Sequence, residues 1–463
     1  MRYFIKTFGC QMNFSDSERL ASFLEKNNFK STKEIKKADL VIFNSCGVRK
    51  MPEDRAFGQI HNLRKNNPRI KIALTGCIAQ RKDVQRVLKN KVDLFFSIKD
   101  MKLLENFIIE NFKNCFKIRN LKFEISAQKN NLATNENIAY LSIAPKYKNK
   151  FSAFVPIMTG CNNFCAYCVV PYARGREVSR SADEIIKEIK GLIKKGYKEI
   201  SLLGQNVNSY KSEIQNPKSK TNSKLQSANK QTKTYNFSDL LKKIDKIPGD
   251  FWIRFMTPHP KDMSDELIET VTGLKKICES VHLPVQSGND KILEKMNRKY
   301  TRQHYLDLIE KIKQSFKGNK PETIYSLSSD IIVGFPGETK KQLEDSAQVM
   351  HQVKYDMVYF GQFSPRPQTA AWKMKDNVSK AEKERREKYL NDILEKTALD
   401  NNRKYLNKIF DVLVESEKNG AYFGKTRTLK NVMFQSNGND LIGQFVKVKI
   451  TKVTPWNLEG EIK

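Results

Sequence analysis

Cysteine is scarce, with eight residues in a chain of 463. Scattered so thinly, they cannot form the disulfide framework of a small secreted fold, and a reducing compartment is expected. Long apolar runs are also missing. No stretch of about 18 apolar residues occurs, and Met1-Arg-Tyr-Phe-Ile-Lys-Thr-Phe-Gly9 carries no apolar leader, so a soluble, cytoplasmic protein without a membrane partner is expected. Acidic residues are in deficit: 51 Asp+Glu face 83 Lys+Arg, a net charge of +32. Such a surplus favours a polyanionic partner, most simply nucleic acid, through phosphate contacts and counterion release; basic solvated surface is the alternative. The length accommodates two or three domains, each with its own core.

Three of the eight cysteines fall within eight residues, in Gly160-Cys161-Asn-Asn-Phe164-Cys165-Ala-Tyr-Cys168. A structural zinc ion wants four nitrogen or sulfur ligands, whereas a cubane held by three thiolates leaves one iron open to a cofactor or substrate. The nearest histidines, His61 and His259, are far off in sequence. A zinc site completed by a distant residue, or a redox dithiol, stays open on spacing alone.

The N-terminal segment reads as alternating strands and helices, and therefore as a parallel sheet. Tyr3–Phe8 ends at Gly9-Cys10, Asp39–Phe43 at Asn44-Ser-Cys46, and Ile70–Leu74 at Thr75-Gly-Cys77. Ser15 to Glu18 fits a capping box at the first helix start. Ligands of such sheets gather beyond the carboxyl ends of the strands, where all three cysteines sit. Three thiols on one rim predict a second 4Fe-4S cluster; the bland alternative is a small buried residue at each strand end. Cys115 and Cys278 fit neither set and read as inert core residues.

A polar connector at about 126–150, with one strand expected at Ala139–Ile143, precedes a new series. Six apolar strands are expected at Ala153–Met158, Ile200–Leu203, Trp252–Phe255, Ser280–Leu283, Ser329–Val333 and Met357–Phe360. Helices lie between them, with capping boxes at Ser181–Glu184 and Thr339–Gln342, so six βα units form an incomplete barrel. Residues 211–234 hold six lysines, one glutamate and little apolar content, which predicts a disordered insertion. A charged helix from Lys380 to about Asn401 follows. The last 60 or so residues alternate at period two in four strands, predicting a small antiparallel barrel. From Asn401 to Lys463 there are 11 Lys+Arg and 6 Asp+Glu, a basic surplus suited to RNA.

The run from Met158 to Arg180, Met-Thr-Gly-Cys-Asn-Asn-Phe-Cys-Ala-Tyr-Cys-Val-Val-Pro-Tyr-Ala-Arg-Gly-Arg-Glu-Val-Ser-Arg, resembles the methylthiotransferase branch of the radical SAM superfamily. The resemblance implies that Cys161, Cys165 and Cys168 hold a 4Fe-4S cluster whose open iron binds S-adenosyl-L-methionine (SAM). Thr7-Phe-Gly-Cys-Gln-Met-Asn13, Asn44-Ser-Cys46 and Thr75-Gly-Cys-Ile-Ala-Gln80 resemble the family's N-terminal domain, which implies an auxiliary, sulfur-bearing cluster on Cys10, Cys46 and Cys77. Gly204-Gln-Asn-Val-Asn-Ser-Tyr210, His282-Leu-Pro-Val-Gln-Ser-Gly288 and Asp330 to Thr339 look like blocks around the SAM and substrate pocket. Gly204, Gln205, Asn206, Gln286 and Gly334 are accordingly the expected cofactor contacts, with turn chemistry as the bland alternative. Arg174 and Arg180 are candidate contacts for a carboxylate or phosphate.

The C-terminal module resembles the TRAM domain of tRNA-modifying enzymes. The whole chain thus resembles an N-terminal cluster domain (1–125), a radical SAM domain (147–378, with the insertion 211–234) and a TRAM-like RNA-binding domain (401–463). Gly9 to Asn13, Cys168 to Tyr172 and Leu203 to Asn208 are similar to the tRNA branch acting on isopentenyl-adenosine. The branches acting on threonylcarbamoyl-adenosine or a ribosomal-protein aspartate are alternatives, as are a non-enzymatic iron–sulfur RNA-binding protein and a zinc-dependent RNA enzyme. The reaction so implied is methylthiolation at C2 of the adenine, with tRNA as partner, a flavodoxin or ferredoxin as electron donor, and a monomeric enzyme. Two departures stand out: the insertion, and Gln368 in Arg366-Pro-Gln-Thr369 where the family commonly has Gly.

Overall fold

A computed structural model describes residues 1–48, 50–112, 138–213, 234–436 and 440–463. Its N-terminal part runs β1 (Arg2–Phe8), α1 (Gln11–Lys26), β2 (Lys30–Ser31), β3 (Leu40–Ser45), α2 (Lys50–Asn66), β4 (Lys71–Gly76), α3 (Lys82–Val87), β5 (Leu94–Phe95) and α4 (Met101–Asn111). The sheet order is β2-β1-β3-β4-β5 and every pairing is parallel. A parallel sheet is covered on both faces, so its central strand reads as an unbroken apolar run. β3 is such a strand: Leu40 and Ile42 enter one core while Val41 and Phe43 enter the other, at the strand period of two.

The helix after β1 begins a turn earlier than its sequence suggests. Cys10, not Ser15, is the N-cap of α1, with its amide donating to Asn13 Oδ1 at 3.4 Å. The connector strand expected at Ala139–Ile143 is instead a short 3₁₀ turn, Ala139–Ser142, which buries Tyr140 and Leu141.

The central part runs β6 (Ser152–Pro156), β7 (Met158–Thr159), α5 (Val170–Arg174), β8 (Val178–Ser179), α6 (Ala182–Lys194), β9 (Glu199–Leu203), β10 (Lys211–Glu213), β11 (Thr234–Asn236), α7 (Phe237–Asp245), β12 (Trp252–Phe255) and α8 (Asp265–Gly273). It continues with β13 (Ser280–His282), α9 (Asp290–Lys295), α10 (Arg302–Asn319), β14 (Ser326–Val333), α11 (Lys340–Val353) and β15 (Met357–Gln362). All six expected strands form. They are parallel and fall into two triples, β6-β9-β12 and β13-β14-β15, joined by a bridge between Ile253 and Ile277. Thr339 and Gln342 make the expected capping box of α11, whereas Ser181 occupies the cap position of α6 without a side-chain bond.

The ends of the lysine-rich insertion are ordered, contrary to expectation. Lys211–Glu213 pairs antiparallel with Thr234–Asn236, because Ser212 is buried and caps α6 from the side by accepting from the Ala182 amide. The remainder of the insertion, 214–233, and Cys115 lie outside the described residues.

α12 (Lys380–Arg403) leads into β16 (Ile409–Lys418), β17 (Ala421–Thr426), β18 (Asn431–Gln435), β19 (Phe445–Val453) and β20 (Asn457–Ile462), a closed barrel. One strand more than expected is present, β20, and closure comes from its parallel pairing with β18. A closed barrel leaves no edge strand to recruit other chains.

Candidate active site

Cys10, Cys46 and Cys77 each follow a strand end, and the sheet register sets those ends side by side: Phe8 opposes Ser45, and Ser45 opposes Gly76. The approach is close enough that a Cβ on Gly9, whose φ is +139°, would stand 2.4 Å from Cys46 Cβ. Asn13 and Asn44 brace the arrangement from beneath. Asn13 Nδ2 donates to Asn44 Oδ1 at 2.9 Å, and Asn44 Nδ2 donates back to the Asn13 carbonyl at 2.8 Å. A hydrogen bond from Cys46 lowers the Cys10 thiol below its ordinary value, and the Arg174 cation adds to this; Cys46 is correspondingly raised, with burial and Cys77 contributing.

The other triad lies on the loop between β7 and α5. Gly160, at φ +82°, turns the chain so tightly that a Cβ would meet the Arg176 carbonyl oxygen at 2.1 Å. The loop is clasped by the segment after α9. The Ala166 amide donates to the Met296 carbonyl at 2.9 Å, Asn297 Nδ2 to the Phe164 carbonyl at 2.9 Å, and Arg298 Nη1 to Cys165 Sγ at 3.3 Å. Burial raises the Cys161 thiol and, with the neighbouring Cys165 charge, pushes Cys168 up to about 12. Cys77 of the first triad lies within electrostatic reach of Cys168. Among the described residues no three His, Cys, Asp or Glu side chains converge on one ion-sized point. The donor sets themselves, three thiols each, fit the separate corners of a cubane.

Two buried braces hold the triads together across the domain seam. Arg174, at the end of α5, donates from Nη2 to Asp16 Oδ2 of α1 at 2.7 Å, and Lys99 Nζ donates to the Arg174 carbonyl. Arg366 Nη1 reaches Glu53 Oε2 at 2.9 Å, and Arg81 Nη1 reaches the same oxygen at 2.7 Å. Arg180, expected with Arg174 as an anion contact, donates to the Pro156 carbonyl and pairs with Glu188 at 2.8 Å. Both arginines are thus engaged in buried ion pairs, although Arg174 Nη1 has no partner among the described residues.

The expected cofactor contacts divide. Gln205 Oε1 accepts from the Gly160 amide at 2.5 Å, which ties the strand end of β9 to the cysteine loop. Asn206 is 2 % exposed; its Nδ2 donates to Asp262 Oδ2 at 2.8 Å, while its Oδ1 has no partner among the described residues. Gly204 packs beside Met158, and its carbonyl accepts from Thr257 Oγ1 at 3.0 Å. Gln286 bridges to β14 at φ +67°. Gly334 donates its amide to Glu338 Oε2 at 2.8 Å and faces the stem of Lys383, so it gives space to a lysine of α12. The sequence gives no sign of the roles of Arg298, Asp16 and Glu53; the His282 ring, at the head of a block expected near the pocket, lies 3.0 Å from Ser328 Oγ and 3.2 Å from Asp330 Oδ2. Cys278 is buried with Trp252 and Leu413 at the seam with the C-terminal barrel, and burial pushes its thiol up to about 11.

Residues 155–350 match the Radical SAM superfamily, 2–97 match Uncharacterized protein family UPF0004, and 403–463 match the TRAM domain. The fold is similar to that of the radical S-adenosylmethionine methyltransferase TsrM from Kitasatospora setae, with a TM-score of 0.53 over 80% of this chain and 75% of that one at 13% identity. The fold and the family match are therefore those of a radical SAM enzyme. At the level of sequence, the tRNA-2-methylthio-N(6)-dimethylallyladenosine synthase of Clostridium botulinum (strain Hall) is 40% identical over 99% of this chain and 96% of its own length. The enzyme of that name from Thermoanaerobacter pseudethanolicus is 38% identical over 99% and 92%. The chain belongs to this family of radical SAM methylthiotransferases.

Proposed function

We propose that the protein inserts a methylthio group at C2 of N6-isopentenyl-adenosine next to the anticodon (position 37) of tRNA, giving 2-methylthio-N6-isopentenyladenosine. The observation that carries this reading is the pair of thiol triads, one on three neighbouring strand ends and one on a single clasped loop, in parts of the chain joined by the buried Arg174–Asp16 ion pair. Cys161, Cys165 and Cys168 would hold the SAM-binding 4Fe-4S cluster, and Cys10, Cys46 and Cys77 the auxiliary one. When bound, these groups would supply the electron that cleaves SAM to a 5′-deoxyadenosyl radical, which takes the C2 hydrogen, and the sulfur destined for the adenine carbon, while a second SAM would give the methyl group. Such chemistry is needed because the C2–H bond is neither acidic enough for a general base nor open to a nucleophile.

The chain's own residues bind, orient and exclude water. Gln205 fixes the entry of the cysteine loop through the Gly160 amide. Asn206 offers a buried acceptor oxygen suited to an amino or hydroxyl group of SAM. Gly204, Gln286 and Gly334 shape the strand ends around that pocket. The Arg174–Asp16 and Arg366–Glu53–Arg81 braces set the distance between the triads. The C-terminal barrel would hold the tRNA, a flavodoxin or ferredoxin would supply electrons, and the enzyme would work as a cytoplasmic monomer. The test is mass spectrometry of tRNA nucleosides from a deletion strain, before and after complementation. The 2-methylthio nucleoside should disappear, leaving N6-isopentenyladenosine, and return with the gene; its persistence would sink the reading.

A further inference from the structure

The segment Met296-Asn297-Arg298 clasps three consecutive residues of the cysteine loop, and only its last contact reaches sulfur. Arg298 is 8 % exposed, and its guanidinium is held on every side. Nε donates to Tyr300 Oη at 2.8 Å, Nη2 to the Pro284 carbonyl at 3.2 Å, and Nη1 to Cys165 Sγ at 3.3 Å. Tyr300 Oη is itself anchored on the Val285 carbonyl at 2.9 Å. A charged side chain so buried costs several kcal/mol in solvation unless a negative partner compensates. Yet among the described residues neither Asp nor Glu is hydrogen-bonded to it; of the two partners that can carry negative charge, burial pushes the Tyr300 phenol up to about 12 and keeps it neutral, whereas Cys165 is a thiolate whenever it ligates iron.

We propose that Arg298 is a positioning residue of the barrel triad: its guanidinium donates to the Cys165 thiolate, fixes that ligand's rotamer and raises the reduction potential of the cluster the triad holds. The physical reason is that reduction adds negative charge to the cluster and its sulfurs, and a buried cation hydrogen-bonded to one of them favours the more negative state. The proposal rests on the assignment of Cys161, Cys165 and Cys168 as cluster ligands.

The test uses the full-length chain with Cys10, Cys46 and Cys77 all changed to Ala, so that electron paramagnetic resonance reports one cluster. Dithionite in mediated potentiometric titration is the reductant, and SAM affinity and iron content are measured alongside. Arg298→Gln should disfavour reduction about tenfold, a fall of ~59 mV in midpoint for one electron, and Arg298→Lys should recover most of it. An unmoved midpoint with SAM affinity weakened tenfold would overturn the proposal and make Arg298 a contact of the SAM carboxylate. Equal iron loss in the Gln and Lys variants would overturn it in favour of side-chain shape. If Arg298→Gln loses iron and Arg298→Lys keeps it, the charge is what positions Cys165 and the proposal stands. No cluster signal in the parent triple variant would instead defeat the assignment of the triad itself.

Discussion

Cys161, Cys165 and Cys168 are presented by one loop and clasped by a segment of the same domain, whereas Cys10, Cys46 and Cys77 come from three separate strand ends. The cation hydrogen-bonded to the first triad, Arg298, is supplied by its own barrel; a cation acting on the second, Arg174, arrives from the neighbouring domain. The difference implies a division of dependence. The barrel triad draws its loop, its clasp and its hydrogen-bonded cation from one domain, while the N-terminal triad receives the Arg174 cation only when the two domains are docked.

The largest effect that would break this comparison is loss of a ligand. Changing any one of Cys161, Cys165 or Cys168 to Ala should abolish reductive cleavage of SAM, measured as 5′-deoxyadenosine released by dithionite. Changing Cys10, Cys46 or Cys77 should spare cleavage and stop thiolation, with about four of eight irons retained. Loss of all cleavage in the second group, with the barrel cluster intact, would show that the triads do not divide the work.

Next in size is the brace between them. Arg174 and Asp16 are 4% and 0% exposed at their side chains, so Arg174→Ala leaves a buried carboxylate without its cation. The expected cost is about 3 kcal/mol, read from chemical denaturation. Because the triads would then be less firmly opposed, more 5′-deoxyadenosine should be released per thiolated product. A variant of unchanged stability and unchanged coupling would mean that docking does not depend on this pair.

The seam with the C-terminal barrel offers the contrast. Arg427 belongs to the basic module expected to meet RNA, but it pairs with Glu279 at 2.7 Å and donates to the Lys275 and Ile277 carbonyls. Lys425 pairs with Glu415 at 3.1 Å. Arg254 donates to the carbonyls of Thr426 and Arg427, and Trp252 packs on Phe445, so truncating the chain at about 401 would strip a core seam as well as remove RNA contacts. Arg427→Ala should therefore cost about 2 kcal/mol, since Lys320 still neutralises Glu279, and leave the salt dependence of tRNA binding unchanged. Replacing the exposed Lys418 and Lys447 with Ala should lower the log–log salt slope by about 1.5 without loss of stability. The opposite pattern would return Arg427 to the RNA surface.

What sequence could and could not reveal follows the same division. The spacing of the barrel triad and all six barrel strands were readable because cysteine spacing and short unbroken apolar runs are local signals. The N-terminal triad was readable because strand ends of a parallel sheet share a rim. The braces were not: Arg174 and Asp16 are 158 residues apart and Arg366 and Glu53 313, and one arginine among many basic residues gives no sign of its partner. β20 escaped because Asn457-Leu-Glu-Gly-Glu-Ile462 buries only Leu458 and has Gly460 at its centre. Cys10 escaped as a helix cap because Ser15 and Glu18 offered a stronger motif than the residue actually used.

The smallest effect concerns Gln368, in the turn that presents Arg366 to Glu53. The Thr369 amide donates to the Arg366 carbonyl at 3.2 Å, closing a four-residue turn with Pro367 second and Gln368 third. Gln368 has φ +74°, the left-handed value that the third position of a type II turn requires. A residue with a Cβ pays roughly 1–2 kcal/mol for that conformation, and glycine gives back part of the gain through its larger unfolded-state entropy. Gln368 is exposed, so its side chain adds no packing to offset the strain. Gln368→Gly should accordingly stabilise the protein by about 0.5–1 kcal/mol, seen as a rise of about one degree in the unfolding midpoint. Because the turn carries Arg366 and not a thiol, iron content and SAM cleavage should stay as they are. A lowered midpoint would mean that the Gln368 side chain supports the seam, and that the brace beside Cys46 is tuned by more than Arg366 and Glu53.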